Sequence, residues 1–250
     1  MEEHSSPNSP SRVQSLAIPI AIVISAGLIA GAIYLSGNKA PVAATTDDPN
    51  DAALPTGSTV APVTEDDHIR GNPNAPIVLV EYSDYDCPFC KNFHETMNQI
   101  MTEYGTDGKV AWVYRHFPLE QLHQNAPKIA AASECVTELG GNDAFWTFTD
   151  QVFGERGTNE PTDLSKLPTF AETAGVDRGQ FELCYNSGKY TDAIAADFDA
   201  GLAAGARGTP YTIAIVGDQQ GVISGALPYE NIKGSIDTWL AQIEGRAQQE

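Results

Sequence analysis

The sequence is poor in basic residues, with 14 lysines and arginines against 33 aspartates and glutamates among 250 residues. The formal net charge of -19 argues against nucleic-acid binding, which needs a basic surface to replace the counterions of the phosphates. Cysteine is also scarce, with four residues, and the chain has no internal repeat. Its length allows one large domain or two small ones, each able to bury a core.

One long apolar run is present at residues 16–35, LAIPIAIVISAGLIAGAIYL, and it carries no charge. As a helix it would be about 30 Å long, the thickness of a bilayer core. We therefore expect a transmembrane anchor there, preceded by a cytoplasmic tail over residues 1–15. The alternative is a cleaved signal peptide, but its apolar region would be shorter and the cleavage site closer. The small residues at 42–44 lie well past the run.

The segment after the anchor, residues 36–67, is rich in Pro, Thr, Ala and Asp. Such a composition buries too little apolar surface to offset the entropy of ordering, so it predicts a disordered linker. From His68 the pattern changes, and we expect one folded domain over residues 68–250.

The order of elements in this domain predicts an α/β fold of the form β-α-β, a helical block, then β-β-α. Short β-branched runs at residues 75–83 and 109–117 predict two strands on either side of a helix that Gly105 ends. Residues 211–217 and 221–226 predict two more strands, joined by the turn GDQQG, and a closing helix follows. An all-helical insertion is expected over about 119–206, with helices at 126–139, 144–153, 164–174, 178–186 and 190–204.

The pair Cys87 and Cys90, in CPFC, lies where the first strand of that unit meets its helix. Such a pair could be a redox centre, half of a metal site or a local staple. A structural zinc site usually has four ligands in two paired groups, and the other cysteines stand alone. As a staple, the pair closes too small a loop to remove much unfolded-state entropy. A helix N-terminus stabilises a thiolate, so this position favours redox chemistry.

Residues 68 to about 245 resemble the thioredoxin superfamily, and within it the DsbA-like thiol:disulfide interchange proteins that carry a helical insertion. The motifs behind the resemblance are VEYSDYDCPFC, RHFPL, FWTFTDQVF, LCYNSGKY and GTPYTIAI. The resemblance implies a thioredoxin fold in which Cys87 is the nucleophile, with an exposed sulfur, and Cys90 its partner. It also implies that Pro210 is a cis-proline facing the pair. On sequence alone, Pro210 would be an ordinary trans proline that opens a strand.

Three further positions complete the expected site. Thr209 would offer backbone groups to an extended substrate peptide, as the resemblance implies. Glu81 matches a buried acid beneath the disulfide, whose raised pKa would let it relay a proton to or from Cys90; otherwise it is a solvent-facing glutamate. Phe89 is expected to contact substrate. It stands where the strongest oxidants of the family have histidine, and Asp84 and Asp86 add negative charge, so we expect a weaker oxidant.

Cys135 and Cys184 lie on two predicted helices of the insertion. They could be a structural disulfide or two buried free thiols, and the resemblance favours the disulfide. On the entropic model, closing that loop contributes up to about 4 kcal/mol.

The apolar run predicts a single-pass protein of the cell membrane with an extracytoplasmic C-terminal domain, and the resemblance implies that this domain forms disulfide bonds in cysteine-containing exported proteins. Such a protein is expected to need no metal and no dissociable cofactor, because the cysteine pair carries the electrons. A quinone-linked membrane protein of the DsbB or VKOR kind is expected to reoxidise it. The alternatives are a disulfide reductase or isomerase of the same fold, and a non-catalytic tethered binding module.

Overall fold

The computed structural model describes residues 60–248. The predicted tail and anchor, and the linker up to residue 59, lie outside the described residues. Within residues 60–248, none of the helices combines the length and the apolar character needed to span a bilayer.

A five-stranded sheet forms the centre of the domain. Its strands are β1 (His68–Gly71), β2 (Ile77–Ser83), β3 (Val110–His116), β4 (Tyr211–Val216) and β5 (Gln219–Ser224). They lie in the order β1-β3-β2-β4-β5. Only β2 and β3 are parallel, and every other neighbouring pair is antiparallel. The two parallel strands are buried almost throughout, which explains why both read as continuous apolar runs.

Helix α1 (Pro88–Ile100) makes the crossover that two parallel strands require. Pro88 occupies its first turn, where a missing backbone N–H is tolerated. Phe93, Met97 and Ile100 recur at helical spacing and are fully buried. The crossover places the start of α1, and with it the cysteine pair, at the carboxyl end of β2.

Between β3 and β4 the described chain is helical, as predicted. The helices are α2 (Ala126–Glu155), α3 (Leu167–Thr173), α4 (Arg178–Ser187) and α5 (Thr191–Ala203), and a short 3₁₀ turn, Leu164–Lys166, precedes α3. The closing helix is α6 (Tyr229–Ala247), which packs against α1. Asp177 caps α4 by accepting a hydrogen bond from the Gln180 N–H.

Two details of these elements differ from the sequence prediction. The helices expected at 126–139 and 144–153 are one element with a kink at Gly141, where φ is 78°. Glycine tolerates that conformation, so the chain changes direction without a separating loop. The hairpin turn is also shorter than GDQQG, because Gln219 pairs with Val216 and Gln220 with Ile215.

The folded region begins before His68, so the predicted linker is too long. The side chain of Val60 is buried, and Arg115 donates hydrogen bonds to the carbonyl oxygens of Ala61 and Pro62. Arg115 also forms an ion pair with Asp67, with 2.7 Å between Nε and Oδ1. The composition of this segment predicted disorder because the segment has little apolar surface of its own to bury. The residue that binds it, Arg115, lies 48 positions after Asp67 in the chain, so the composition did not indicate this contact. Strand β1, which the sequence prediction missed, follows this segment and pairs with β3.

The core has a part on each face of the sheet. The larger part, around Phe93, Trp112 and Phe145, lies between the sheet, α1, α2 and α6. The smaller part, around Tyr82 and Phe117, lies on the opposite face under α5. There the two aromatic rings approach the backbone of α5 at Gly201 so closely that a β-carbon would lie 2.5 Å from Phe117 Cδ2 and 2.9 Å from Tyr82 Cδ1.

We expect Gly201→Ala to lower the free energy of unfolding by about 1–3 kcal/mol, because both rings are buried and have little room to move. Gly234→Ala is the matched control, since Gly234 lies in α6 with nothing near its missing β-carbon. That control should gain up to about 1 kcal/mol from helix propensity. Urea unfolding measures both changes, and an equally stabilising Gly201→Ala would contradict the tight contact.

Candidate active site

Cys87 immediately precedes α1 and occupies its N-cap position. Its backbone N–H donates to the Asp84 carbonyl oxygen at 3.1 Å, which closes a turn between β2 and the helix. The N–H groups of Phe89 and Cys90, in the first turn, lower the pKa of the Cys87 thiol. A helix N-terminus therefore surrounds this sulfur with unpaired donors.

Cys87 and Cys90 are free thiols with opposite electrostatic environments. The hydrogen bond from Cys90, together with smaller contributions from the backbone N–H groups of Phe89 and Cys90, lowers the pKa of Cys87 to about 6, against the effect of burial. Cys90 is fully buried, and burial, followed by the charge on Cys87, raises its pKa well above the usual value. At neutral pH the pair therefore holds one thiolate, on Cys87, and one thiol, on Cys90.

The loop before β4 closes the site on the other side. The Thr209–Pro210 peptide bond is cis. The Thr209 carbonyl oxygen lies 3.5 Å from Cys87 Sγ and accepts a hydrogen bond from the thiol when the thiol is protonated. The Thr209 hydroxyl is buried and has no hydrogen-bond partner among the described residues. The structure thus brings Cys87, Cys90, Thr209 and Pro210 together.

The exposure of the site differs from the sequence prediction at Cys87. Only 4% of this residue is accessible, so the expectation of an exposed nucleophilic sulfur is wrong in degree. The Thr209 backbone and the first turn of α1 cover the sulfur. Phe89, by contrast, is 62% exposed beside it. A groove next to the site is lined by Pro88, Leu122, His123 and Arg156 among others, and 75% of Leu122 is accessible.

Glu81 lies in β2 and is 1% exposed. Its Oε2 atom accepts a hydrogen bond of 2.9 Å from Trp112 Nε1, on the neighbouring strand β3. Burial, with a smaller contribution from the charge on Cys87, raises the pKa of Glu81 to about 7, and the hydrogen bonds to Ser83 and Trp112 oppose this rise. The carboxyl group is therefore poised to exchange a proton near neutral pH. The sequence analysis placed Glu81 beneath the pair but missed Trp112, whose side chain holds it.

Arg156, which follows α2, is a second residue of the site that the sequence did not suggest. Its guanidinium is buried and donates to the carbonyl oxygens of Asp86 and Cys87, each at 2.9 Å. It also donates to the Glu160 carbonyl oxygen at 3.0 Å. Arg156 lies 69 residues from Cys87 in the chain, so no local motif links the two.

The aspartates that precede Cys87 are buried and hydrogen-bonded. Asp84 Oδ2 accepts from the Leu119 N–H at 2.7 Å and faces His123 Nδ1 at 2.9 Å. Asp86 Oδ1 accepts from the N–H and the hydroxyl of Thr162. The contact between His123 and Asp84 joins residues 39 positions apart, so no local motif indicates it.

Cys135, in α2, and Cys184, in α4, are joined by a disulfide bond in the structure, with 5.8 Å between their Cα atoms. The bond links two helices of the insertion. It takes no part in the geometry around Cys87.

Among the described residues, His68, His116 and Glu134 form a group whose donor atoms could hold a divalent cation. The Nε2 atoms of the two histidines lie 2.6 and 2.8 Å from the same oxygen of Glu134. Although burial opposes it, these two contacts hold the pKa of Glu134 well below its usual range. A carboxylate hydrogen-bonded by two imidazoles explains the convergence without a metal. The group links β1, β3 and α2, so residue spacing did not reveal it.

The comparisons with known proteins agree with this architecture. A family model described as Thioredoxin matches residues 63–238. The chain belongs to the thioredoxin family. The family resemblance drawn from the sequence is therefore confirmed, and so is the thioredoxin-like α/β fold of the described domain.

Solved structures similar to this thioredoxin domain include three bacterial proteins. Oxidised BdbD from Bacillus subtilis aligns with a TM-score of 0.63 and 23% identity, covering 73% of this chain and 97% of BdbD. The α-DsbA1 protein of Wolbachia pipientis aligns at 0.63 and 24%, covering 79% and 98%. DsbA2 of Pseudomonas aeruginosa aligns at 0.58 and 24%, covering 74% and 98%. At these identities the likeness is one of fold.

The curated sequence relatives have a different name. Na(+)/H(+) antiporter NhaA 1 of a Mycobacterium species is 39% identical over 130 residues, which are 51% of this chain and 20% of that protein. The Mycolicibacterium gilvum protein of the same name is 34% identical over 148 residues, 58% of this chain and 23% of its own. The chain therefore spans about a fifth of the length of these relatives, and their name describes the whole proteins.

We expect Glu81→Gln to make the domain more stable than the wild type at pH 8, by up to about 3 kcal/mol. Folding raises the pKa of the Glu81 carboxyl from 4.5 to about 7. Above pH 7 the buried carboxyl is ionised and destabilises the folded state, whereas below pH 4.5 it is protonated in both states and has no such effect. The gain should therefore disappear as the pH falls towards 4.5.

Urea unfolding at pH 8 and at pH 4.5 measures this difference, with the exposed Glu244→Gln as the matched control. The same effect of Glu81→Gln at both pH values would contradict a desolvated carboxyl at Glu81.

Proposed function

We propose that this chain is a thiol–disulfide oxidoreductase that forms disulfide bonds in exported proteins by exchange at Cys87 and Cys90. The observation that carries the proposal is the asymmetry of the pair. Cys87 is held as a thiolate at the start of α1, next to the Thr209 carbonyl, while Cys90 is buried as a thiol. Dithiol–disulfide exchange needs this division between an attacked sulfur and a buried partner.

The oxidised pair would react in two exchange steps. A substrate thiolate attacks the Cys87 sulfur, a mixed disulfide forms, and the bond to Cys90 breaks. Cys90 leaves as a thiolate and takes a proton, which Glu81 is placed to relay. The second thiolate of the substrate then attacks the substrate sulfur of the mixed disulfide, and Cys87 leaves as a thiolate. Two electrons pass to the pair, and the substrate gains one disulfide.

The low pKa of Cys87 favours this direction of electron flow. A thiol with a low pKa is a good leaving group, and stabilising the thiolate stabilises the reduced pair. Phe89 supplies no imidazole, so the pair should be less oxidising than one flanked by histidine. The absence of an imidazole between the two cysteines is also the observation that favours the second candidate function, a reductase or isomerase.

Extended substrate peptide would pair with the backbone at Thr209 beside Pro210. Cys87 is 4% accessible, and the Thr209 carbonyl oxygen lies 3.5 Å from its sulfur, so the substrate would reach the sulfur next to this loop. The exposed apolar side chains of Phe89 and Leu122 lie at the site and at the adjoining groove. They suit a polypeptide substrate better than a small polar one, because they offer apolar contact area.

The setting completes the proposal. The apolar run at residues 16–35 would anchor the chain in the cell membrane, with the thioredoxin domain extracytoplasmic, where disulfides form and persist. A quinone-linked membrane protein of the DsbB or VKOR kind would reoxidise the pair, which itself carries the electrons without metal or dissociable cofactor. Antiport is not proposed, because the matched region is about a fifth of the antiporters.

Equilibration of the full-length chain with glutathione should give a reduction potential between about -120 mV, as in DsbA, and about -270 mV, as in thioredoxin. Phe89→His should raise it, because an imidazole stabilises the Cys87 thiolate. A potential at or below that of thioredoxin would instead support the reductase.

Turnover separates an enzyme from a binding module. We expect the wild type with an oxidised Cys87–Cys90 pair to oxidise a reduced protein substrate, and Cys87→Ser to be inert. Cys90→Ser should be inert towards the reduced substrate, but its Cys87 thiolate should attack a substrate disulfide and accumulate the mixed disulfide, because no Cys90 is present to resolve it. Equal inertness of the wild type and Cys87→Ser would support the non-catalytic module.

A further inference from the structure

Arg156 is a buried cation that forms no ion pair among the described residues. It is 6% exposed, and its two terminal nitrogens donate to three backbone carbonyl oxygens, those of Asp86, Cys87 and Glu160. Its Nε atom has no hydrogen-bond partner among the described residues. A buried guanidinium bound only by carbonyl groups keeps its full charge, and that charge acts on whatever lies nearby.

The groups nearby are the carboxylates and thiols of the active site. The charges that act on Arg156 are, in decreasing order, those of Asp86, Cys87, Asp84 and Cys90. Asp86 has one buried carboxylate oxygen, Oδ2, without a hydrogen-bond partner among the described residues.

Other charged groups around Cys87 are already engaged. His123 faces Asp84, and Glu81 is bound by Trp112. Lys91, one turn into α1, is bound by the carbonyl oxygens of Phe153 and Gly154, which lie in the helical insertion and not beside Cys87. Arg156 donates to the carbonyl oxygens of Asp86 and Cys87 themselves, so it is placed to offset the negative charge of Asp86 and of the Cys87 thiolate.

Arg156 also fixes the position of the nucleophile. The Cys87 carbonyl oxygen accepts two hydrogen bonds, one from the Lys91 N–H in the first turn of α1 and one from Arg156. The Asp86 carbonyl oxygen, in the preceding peptide unit, is held by the same guanidinium. One side chain from the helical insertion thus ties down both peptide groups that flank the Cys87 Cα atom.

We infer that Arg156 is a positioning residue that holds the loop bearing Cys87, offsets the buried carboxylates around it, and so sets the redox potential of the Cys87–Cys90 pair. Phe89, the side chain between the two cysteines, carries no charge that could do this. The inference rests on the proposed function, since it concerns the same pair.

Two substitutions separate the charge from the hydrogen bonds. Arg156→Gln keeps an amide donor and loses the charge, whereas Arg156→Lys keeps the charge and loses the planar fork. Arg178→Gln is the matched control, because Arg178 is exposed and pairs with Glu172 on the surface. The pKa of Cys87 is read from thiolate absorbance in the reduced full-length chain, and the potential from equilibration with glutathione.

We expect Arg156→Gln to raise the pKa of Cys87 by about one unit. It should favour the disulfide form about tenfold, which lowers the potential by about 30 mV. Arg156→Lys should retain most of the wild-type pKa and potential, and Arg178→Gln should leave both unchanged. If Arg156 had only a structural role, both variants would be less stable, but the pKa of Cys87 and the redox potential would not differ between Arg156→Lys and Arg156→Gln.

An unchanged pKa and potential in Arg156→Gln would overturn the inference, as would equal shifts in the Lys and Gln variants. Near-UV circular dichroism verifies folding. If Arg156→Gln does not fold, Asp86→Asn is the variant to measure. It removes a negative charge that Arg156 offsets, so it should lower the pKa of Cys87, and an unchanged pKa in Asp86→Asn would overturn the inference. These readouts need no substrate, so they are independent of the turnover assay, whose failure would overturn the proposed function.

Discussion

The hydrogen bonds received by the Cys87 sulfur come from the start of the first helix. Cys90 and the backbone N–H groups of the first turn of α1 lower the pKa of Cys87, and the Thr209 carbonyl oxygen lies 3.5 Å from the sulfur on the side of the loop before β4. The low pKa of Cys87 therefore requires α1 to begin at this sulfur. The parallel pairing of β2 with β3 meets this requirement, because it forces a crossover helix to begin at the carboxyl end of β2.

Negative charge near Cys87 opposes formation of the Cys87 thiolate. The chain carries 33 acidic residues, and three of them, Glu81, Asp84 and Asp86, are buried close to a sulfur that must itself become an anion. The structure deals with each in a different way. Burial leaves Glu81 largely protonated at mildly acidic pH, backbone and imidazole groups bind Asp84, and Thr162 binds Asp86. Buried carboxylates are tolerated only with such partners.

The helical insertion contributes to the site as well as covering the sheet. Arg156 lies at the end of α2, and Thr162 in the loop after it; together they hold the backbone and the carboxylate of the residue before Cys87. The disulfide between Cys135 and Cys184 joins α2 to α4 within the same insertion. The thioredoxin core thus holds the cysteine pair, and the insertion holds the backbone and the carboxylate that precede Cys87.

The local patterns of the sequence predicted those features that depend on neighbours in the chain. The junction of β2 with α1, the position of CPFC, the order β-α-β then β-β-α, and the helical insertion all follow from periodicity and from turn residues. The sequence did not predict strand β1, the packed segment before it, the Trp112 contact to Glu81, or Arg156. Each of these depends on a pairing between residues 31 to 70 positions apart, and the position of one partner contains no information about the other. Only the tertiary structure decided them, because a buried charge finds its partner wherever the fold brings one within hydrogen-bonding distance.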